Sequence, residues 1–169
     1  MTQRKTPGHG KGYSHVPGMI ITRNTIPAYI PPKPGAKAIW TILDVIEACN
    51  FLVPHIPASG DRRKFGGPVL KLLTAHLNQR IIAGGEKKVA TVRTKVSEWL
   101  SIFDAVEYLK LHVSGIHWDD ELGANITTEA EERVWDTIVA SHPNCYPFKN
   151  SGWPVYDDVL KLCPEKQKG

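Results

Sequence analysis

The chain has 169 residues, 41% of them hydrophobic and 22% charged, a size and balance that fit one packed domain with a tail and exclude a wholly disordered polyelectrolyte. No apolar run approaches the roughly 20 residues that a membrane-spanning helix requires. The formal net charge of +4 is unevenly spread: residues 1–39 carry six bases and no acid, residues 40–110 ten bases and seven acids, and residues 111–169 five bases and ten acids, or +6, +3 and −5. Such a basic front suits an anionic partner, nucleic acid ahead of a membrane surface, or else serves as a solvated tail. Cys49, Cys145 and Cys163 are widely spaced and odd in number, so no closed disulfide framework is expected and a reducing compartment is the simpler reading. The first ten residues carry charge but no apolar stretch follows them, so no secretory signal is expected, which leaves the cytosol or nucleus.

Residues 1–38 hold Pro7, Pro17, Pro27, Pro31, Pro32 and Pro34 with five glycines, a composition that predicts an extended, disordered basic arm. The domain is expected over 39–164, with 165–169 as a tail. Thr41 is placed to cap a first helix in which Ile42, Val45, Ile46, Cys49 and Val53 recur at helical spacing, ended by Pro54 and Pro57. A loop with Asp61-Arg62-Arg63-Lys64 leads to a second helix, about Pro68 to Arg80. Gly84-Gly85 breaks the chain before the longest helix, about Val89 to Val113, whose apolar stripe is Val92, Val96, Trp99, Leu100, Phe103 and Val106. After Ser114-Gly115, the sequence Thr128-Glu-Ala-Glu131 has the form of a capping box and opens a fourth helix that His142-Pro143 ends. A short fifth helix is predicted from Pro154 to about Leu162. The fold class is all-α: a bundle of about five helices whose first three are helix-turn-helix-like.

Several blocks match one another's spacing in a known family. Trp40-Thr41, a long third helix behind Gly-Gly-Glu-Lys-Lys, Ser114-Gly-Ile-His-Trp-Asp-Asp-Glu121, Val134-Trp135-Asp136, Ser141-His142-Pro143 and Pro147-Phe-Lys-Asn-Ser-Gly-Trp153-Pro154 through Tyr156-Asp157 resemble the Myb/SANT-like DNA-binding domain proteins of fungi and plants. The resemblance covers residues 40 to about 164. It implies a nuclear, non-enzymatic, transcription- or transposon-associated protein whose third helix enters the major groove of duplex DNA. Lys87, Lys88, Arg93 and Lys95 match the family's basic positions. An α-helix fits that groove, and its N-terminus adds positive potential.

The third helix also departs from the family, which reads Lys-x-Lys-Trp and further bases where this chain reads Arg93-Thr94-Lys95-Val96, then Glu98, Ser101, Phe103 and Asp104. The face opposite its apolar stripe carries Thr91, Thr94, Ser97, Glu98 and Ser101, hydroxyls without an Arg fork or an amide, so weaker or less specific readout of bases is expected. Nucleic-acid contact is assigned to Arg62, Arg63, Lys64, Lys87, Lys88, Thr91, Arg93, Thr94 and Lys95, with the arm following the backbone. The alternative is a SANT-type protein-interaction module that binds histone tails or another nuclear protein, motivated by the acidic C-terminal part.

Other residues take structural readings. Trp40, Trp99 and Trp135 fall in helical apolar patterns and are expected in the core, with Trp118 and Trp153 pinning loops. His112, His117, His142 and Cys145 are permissible zinc ligands at poor spacing, so no metal and no cofactor is expected. Asp119-Asp120-Glu121 is read as a loop whose carboxylates bond amides or a lysine rather than as acid-base machinery, and no catalytic residue is assigned.

Overall fold

A computed structural model describes residues 31, 34–59 and 63–164; Arg62, most of the arm and the tail 165–169 lie outside the described residues. The described residues form five α-helices, α1 (Ile42–Leu52), α2 (Gly67–Asn78), α3 (Val89–Leu111), α4 (Glu129–Ser141) and α5 (Tyr156–Leu160), with 3-10 helices at Val53–Ser59 and Pro143–Phe148 and no strand. The protein is all-α. No helix of the described residues is long and apolar enough to cross a membrane.

The helix starts follow local chemistry. The Thr41 hydroxyl accepts the Asp44 amide at 3.2 Å while the Asp44 carboxylate accepts the Thr41 amide at 2.8 Å, a reciprocal cap that satisfies two otherwise orphaned donors. Pro54 and Pro57 do not stop the chain outright but tighten it into the first 3-10 helix. Thr128 and Glu131 form the second reciprocal cap, at α4. The ends drift from expectation by about two residues: α2 closes at Asn78 instead of Arg80, and α3 at Leu111 instead of Val113.

α3 is the axis of the bundle. Val92, Val96, Trp99, Leu100, Phe103, Val106 and Leu109 are all buried, facing α2 on one side and the second 3-10 helix and α5 on the other. α5 also packs against α1, so the C-terminal part shares one core with the first three helices. Trp99, Trp135 and Trp153 are buried; Trp40 is half-buried with its ring edge-on to Trp99 at 5.5 Å. The C-terminal half of α3 is thereby largely enclosed, with Asp104 and Leu111 among its exposed positions, while the first turns present a broader face to solvent.

The loops on either side of α4 lock together through their backbones. The Asp119 side chain accepts the Glu121 and Leu122 amides, both at 2.8 Å, and Asp120 accepts Lys110 Nζ at 2.9 Å and Trp118 Nε1 at 2.8 Å. The Gly152 amide donates to the Glu121 carbonyl at 2.9 Å, so close that a Cβ on Gly152 would lie 1.8 Å from the Asp120 carbonyl oxygen. Gly152→Ala must separate the two loops, and urea unfolding should show a loss at or above the roughly 3 kcal/mol top of the usual overpacking range.

The α4 cap also gives a pH dependence of defined sign. Hydrogen bonds from the Thr127 and Thr128 amides hold the Glu131 carboxyl below the ordinary glutamate value of 4.5, and bonds from Lys110 and Trp118 lower Asp120 likewise. The folded state binds these protons less readily than the unfolded chain, so the stabilisation is complete above about pH 4.5 and is lost as pH falls through the lower folded values. Denaturation midpoints should fall below pH 4.5, and Glu131→Gln should remove part of that fall.

Candidate nucleic-acid interface

The turn ahead of α3 is built from two glycines because backbone runs directly across it. Gly84 has φ +73°, and a Cβ on Gly85 would lie 1.8 Å from the Ala36 carbonyl oxygen. Residues 36–38, which composition assigns to the arm, pass over this turn: Ala38 pairs with Gly84, and the Gly85 amide donates to the Lys37 carbonyl at 2.9 Å. The strap orients Glu86-Lys87-Lys88 at the start of α3.

Lys87 turns inward, and this corrects the expectation that it meets phosphate. Asn78 grips its backbone from both sides, Nδ2 donating to the Lys87 carbonyl and Oδ1 accepting its amide, each at 2.9 Å. Its side chain is fully enclosed, with Nζ 2.9 Å from Asp44 Oδ1 and 5.1 Å from the centre of the Trp40 ring. The contact is an ion pair without the angles of an aligned hydrogen bond. Asp44 therefore uses Oδ2 to cap α1 and Oδ1 to hold Lys87, joining the starts of two helices.

Lys88 faces outward as the N-cap residue of α3, where no side chain caps the helix. Thr91, Arg93 and Thr94 follow on exposed positions, and the Thr94 hydroxyl donates to the Ala90 carbonyl at 3.1 Å, leaving its oxygen able to accept. The Arg93 guanidinium reaches across to α2, 3.8 Å from where a Cβ on Gly67 would stand. That N-terminus, with Gly66 as N-cap and Pro68 behind it, also has no side-chain cap. Uncapped amides and a helix dipole thus lie beside a guanidinium, a suitable arrangement for an anion.

The remaining assigned bases differ in what they offer. Lys64 is exposed, just ahead of α2. Arg63 pairs with Asp104 on α3 and lies 5.8 Å over the Phe103 ring, so its charge is already offset. Lys95 is half-buried and pairs with Glu98 at 2.6 Å. The exposed ridge of α3 runs through Ala90, Thr94 and Ser97 and ends where Asn144 Nδ2 donates to Ser101 Oγ at 3.2 Å. Lys64, Lys88, Thr91, Arg93 and Thr94 stay accessible from the starts of α2 and α3. The sequence reading missed the partner that draws Lys87 away, Asp44, and the proximity of Arg93 to α2.

The acidic side of the molecule holds an open cleft of about 630 Å³ lined by Lys110, Leu111, Ile116, His117, Trp118 and Asp119 among others. Leu111 and Leu122 are 64% and 49% exposed near it. His142 stacks on Tyr108 at 4.0 Å and the Cys145 thiol points to the Ala105 carbonyl at 3.7 Å. Among the described residues, no three His, Cys, Asp or Glu side chains gather to hold a metal ion. No protein-family model matches this chain, and no curated protein and no solved structure matches it.

Proposed function

We propose that the protein binds duplex DNA in the nucleus as a Myb/SANT-like domain, presenting the first turns of α3 and the adjacent start of α2, with transcription or transposon biology as its setting. The observation that carries this reading is the Arg93 guanidinium beside the uncapped N-terminus of α2, with Thr94 next to it on α3 and exposed Thr91 and Lys88 toward the start of that helix. Guanidinium, ammonium and unpaired helix amides are the groups that position a phosphate backbone. Base readout is limited, because the exposed ridge offers hydroxyls and no Arg fork or amide, and Glu98 adds a negative charge beside it. Binding is accordingly sequence-tolerant and strongly dependent on salt. Fluorescence anisotropy with a labelled duplex should give saturable binding at about 50 mM salt whose logarithm falls linearly with log salt. Absence of binding at that salt overturns the proposal.

The open cleft beside Leu111 and Trp118 favours a second reading, a protein-interaction module that takes a basic segment such as a histone tail. A pull-down with histone-tail peptides that survives DNase supports it, and loss of every association on DNase treatment removes it.

A further inference from the structure

The exposed ridge of α3 lacks an amide of its own, yet the fold brings one to its end from another element. Ala90, Thr94, Ser97 and Ser101 fall within about 60° of arc at 100° per residue, and all four are exposed. At Ser101 the ridge meets Asn144, also exposed, on the second 3-10 helix, Pro143–Phe148. The two residues are 43 apart in the chain, so spacing along α3 gives no sign of the pairing.

Asn144 is held on both sides by contacts to α3. One anchor is His142, two residues before it, whose ring stacks on Tyr108 with centroids 4.0 Å apart. The other is Cys145, next in the chain and fully buried, whose thiol donates to the Ala105 carbonyl at 3.7 Å. The Cys145 amide closes the turn between them on the His142 carbonyl at 3.0 Å. The Asn144 side chain is then oriented by its own bond, Nδ2 donating to Ser101 Oγ at 3.2 Å. That bond uses one of the two amide hydrogens. The second hydrogen and Oδ1 are left side by side as a donor and an acceptor, and among the described residues no hydrogen bond reaches that Oδ1.

A donor beside an acceptor on one planar amide matches the N7 and N6 positions that adenine shows in the major groove. We propose that Asn144 is a specificity-determining residue, reading one adenine at the end of the α3 ridge, with Ser101 as the residue that positions its amide. This inference rests on the DNA-binding reading above and deepens it. Lys88 and Arg93 would fix the helix on phosphate, and Asn144 would add a base preference that no side chain of the ridge itself supplies. From Thr94 to Ser101 the helix rises about 10 Å, roughly three base-pair steps of about 3.4 Å each, so both kinds of contact fit within one site. A purely structural role for Asn144 is the competing account. An exposed side-chain bond between two surface residues adds little stability, however, and the buried Cys145 already fastens this segment to α3.

The test selects bound duplexes, at about 50 mM salt, from a pool randomised over its central base pairs, using the full chain and two variants. The unaltered chain should enrich adenine at one position about tenfold over the other bases, which lies within the range for a bidentate contact. Asn144→Ala should lose that enrichment while binding the unselected pool within about twofold of the unaltered chain, since its phosphate contacts are intact. Its melting temperature should stay within about 2 °C. Asn144→Asp keeps the acceptor and loses the donor, so its choice at the same position should move from adenine to cytosine, whose amino group a carboxylate accepts. A structural bracket would not exchange one base for another. A bound pool without adenine preference, or the same preference in Asn144→Ala, overturns this inference and leaves phosphate binding standing. Absence of binding by the unaltered chain overturns both.

Discussion

Lys87→Met should destabilise the fold by about 3–5 kcal/mol, the range for removing one partner of a buried ion pair. The methionine fills similar space, so the loss arises from what is left behind: Asp44, 1% exposed, keeps a carboxylate with no cation near Oδ1. The Trp40 ring loses its cation as well. For a domain of this size the melting temperature should fall by on the order of 10 °C. Asp44→Asn should be comparably damaging, since it strands the Lys87 ammonium and weakens the cap of α1. Combining the two should lose much less than the sum of the singles, because the pair is removed together. Near-wild-type stability of Lys87→Met, with lost DNA binding, would instead return Lys87 to the surface.

Lys88→Ala combined with Arg93→Ala should leave stability within about 0.5 kcal/mol, as for exposed positions in general, and weaken duplex binding on the order of a hundredfold. Two charge-assisted contacts of about 1.5 kcal/mol each account for that factor. The slope of log affinity against log salt should shrink by about 0.9 for each phosphate contact removed. The loss should be nearly the same for unrelated duplex sequences, as expected for contacts to backbone rather than base edges. Lys95→Ala should have a smaller effect, because Glu98 already neutralises that ammonium.

The all-α fold was legible because helix starts and apolar stripes are local signals. Thr41, Pro68 and Thr128 act within one turn of where they stand, and the stripe from Val92 to Val106 recurs at helical spacing along one segment. Helix ends were less legible, as at Asn78, whose side chain binds Lys87 nine residues away. The site was the hardest part to read. Lys87 and Lys88 are adjacent identical residues with opposite fates, decided by Asp44 on another helix 43 residues earlier. Arg63 is likewise claimed by Asp104, 41 residues on. Lys95 and Glu98, three apart on one helix, form a pair that spacing alone makes visible. A count of bases therefore overstates the interface, since charge is spent inside the fold before any partner arrives.

The most direct measurement is a titration of isotope-labelled full chain with a short duplex, followed by amide chemical shifts. Perturbation centred on Lys64, Gly67, Lys88, Thr91, Arg93 and Thr94, with Lys87 reporting only through its neighbours, is the predicted result. Shifts confined to Leu111 and residues 116–122, or no shifts at low salt, would contradict a DNA interface at the starts of α2 and α3.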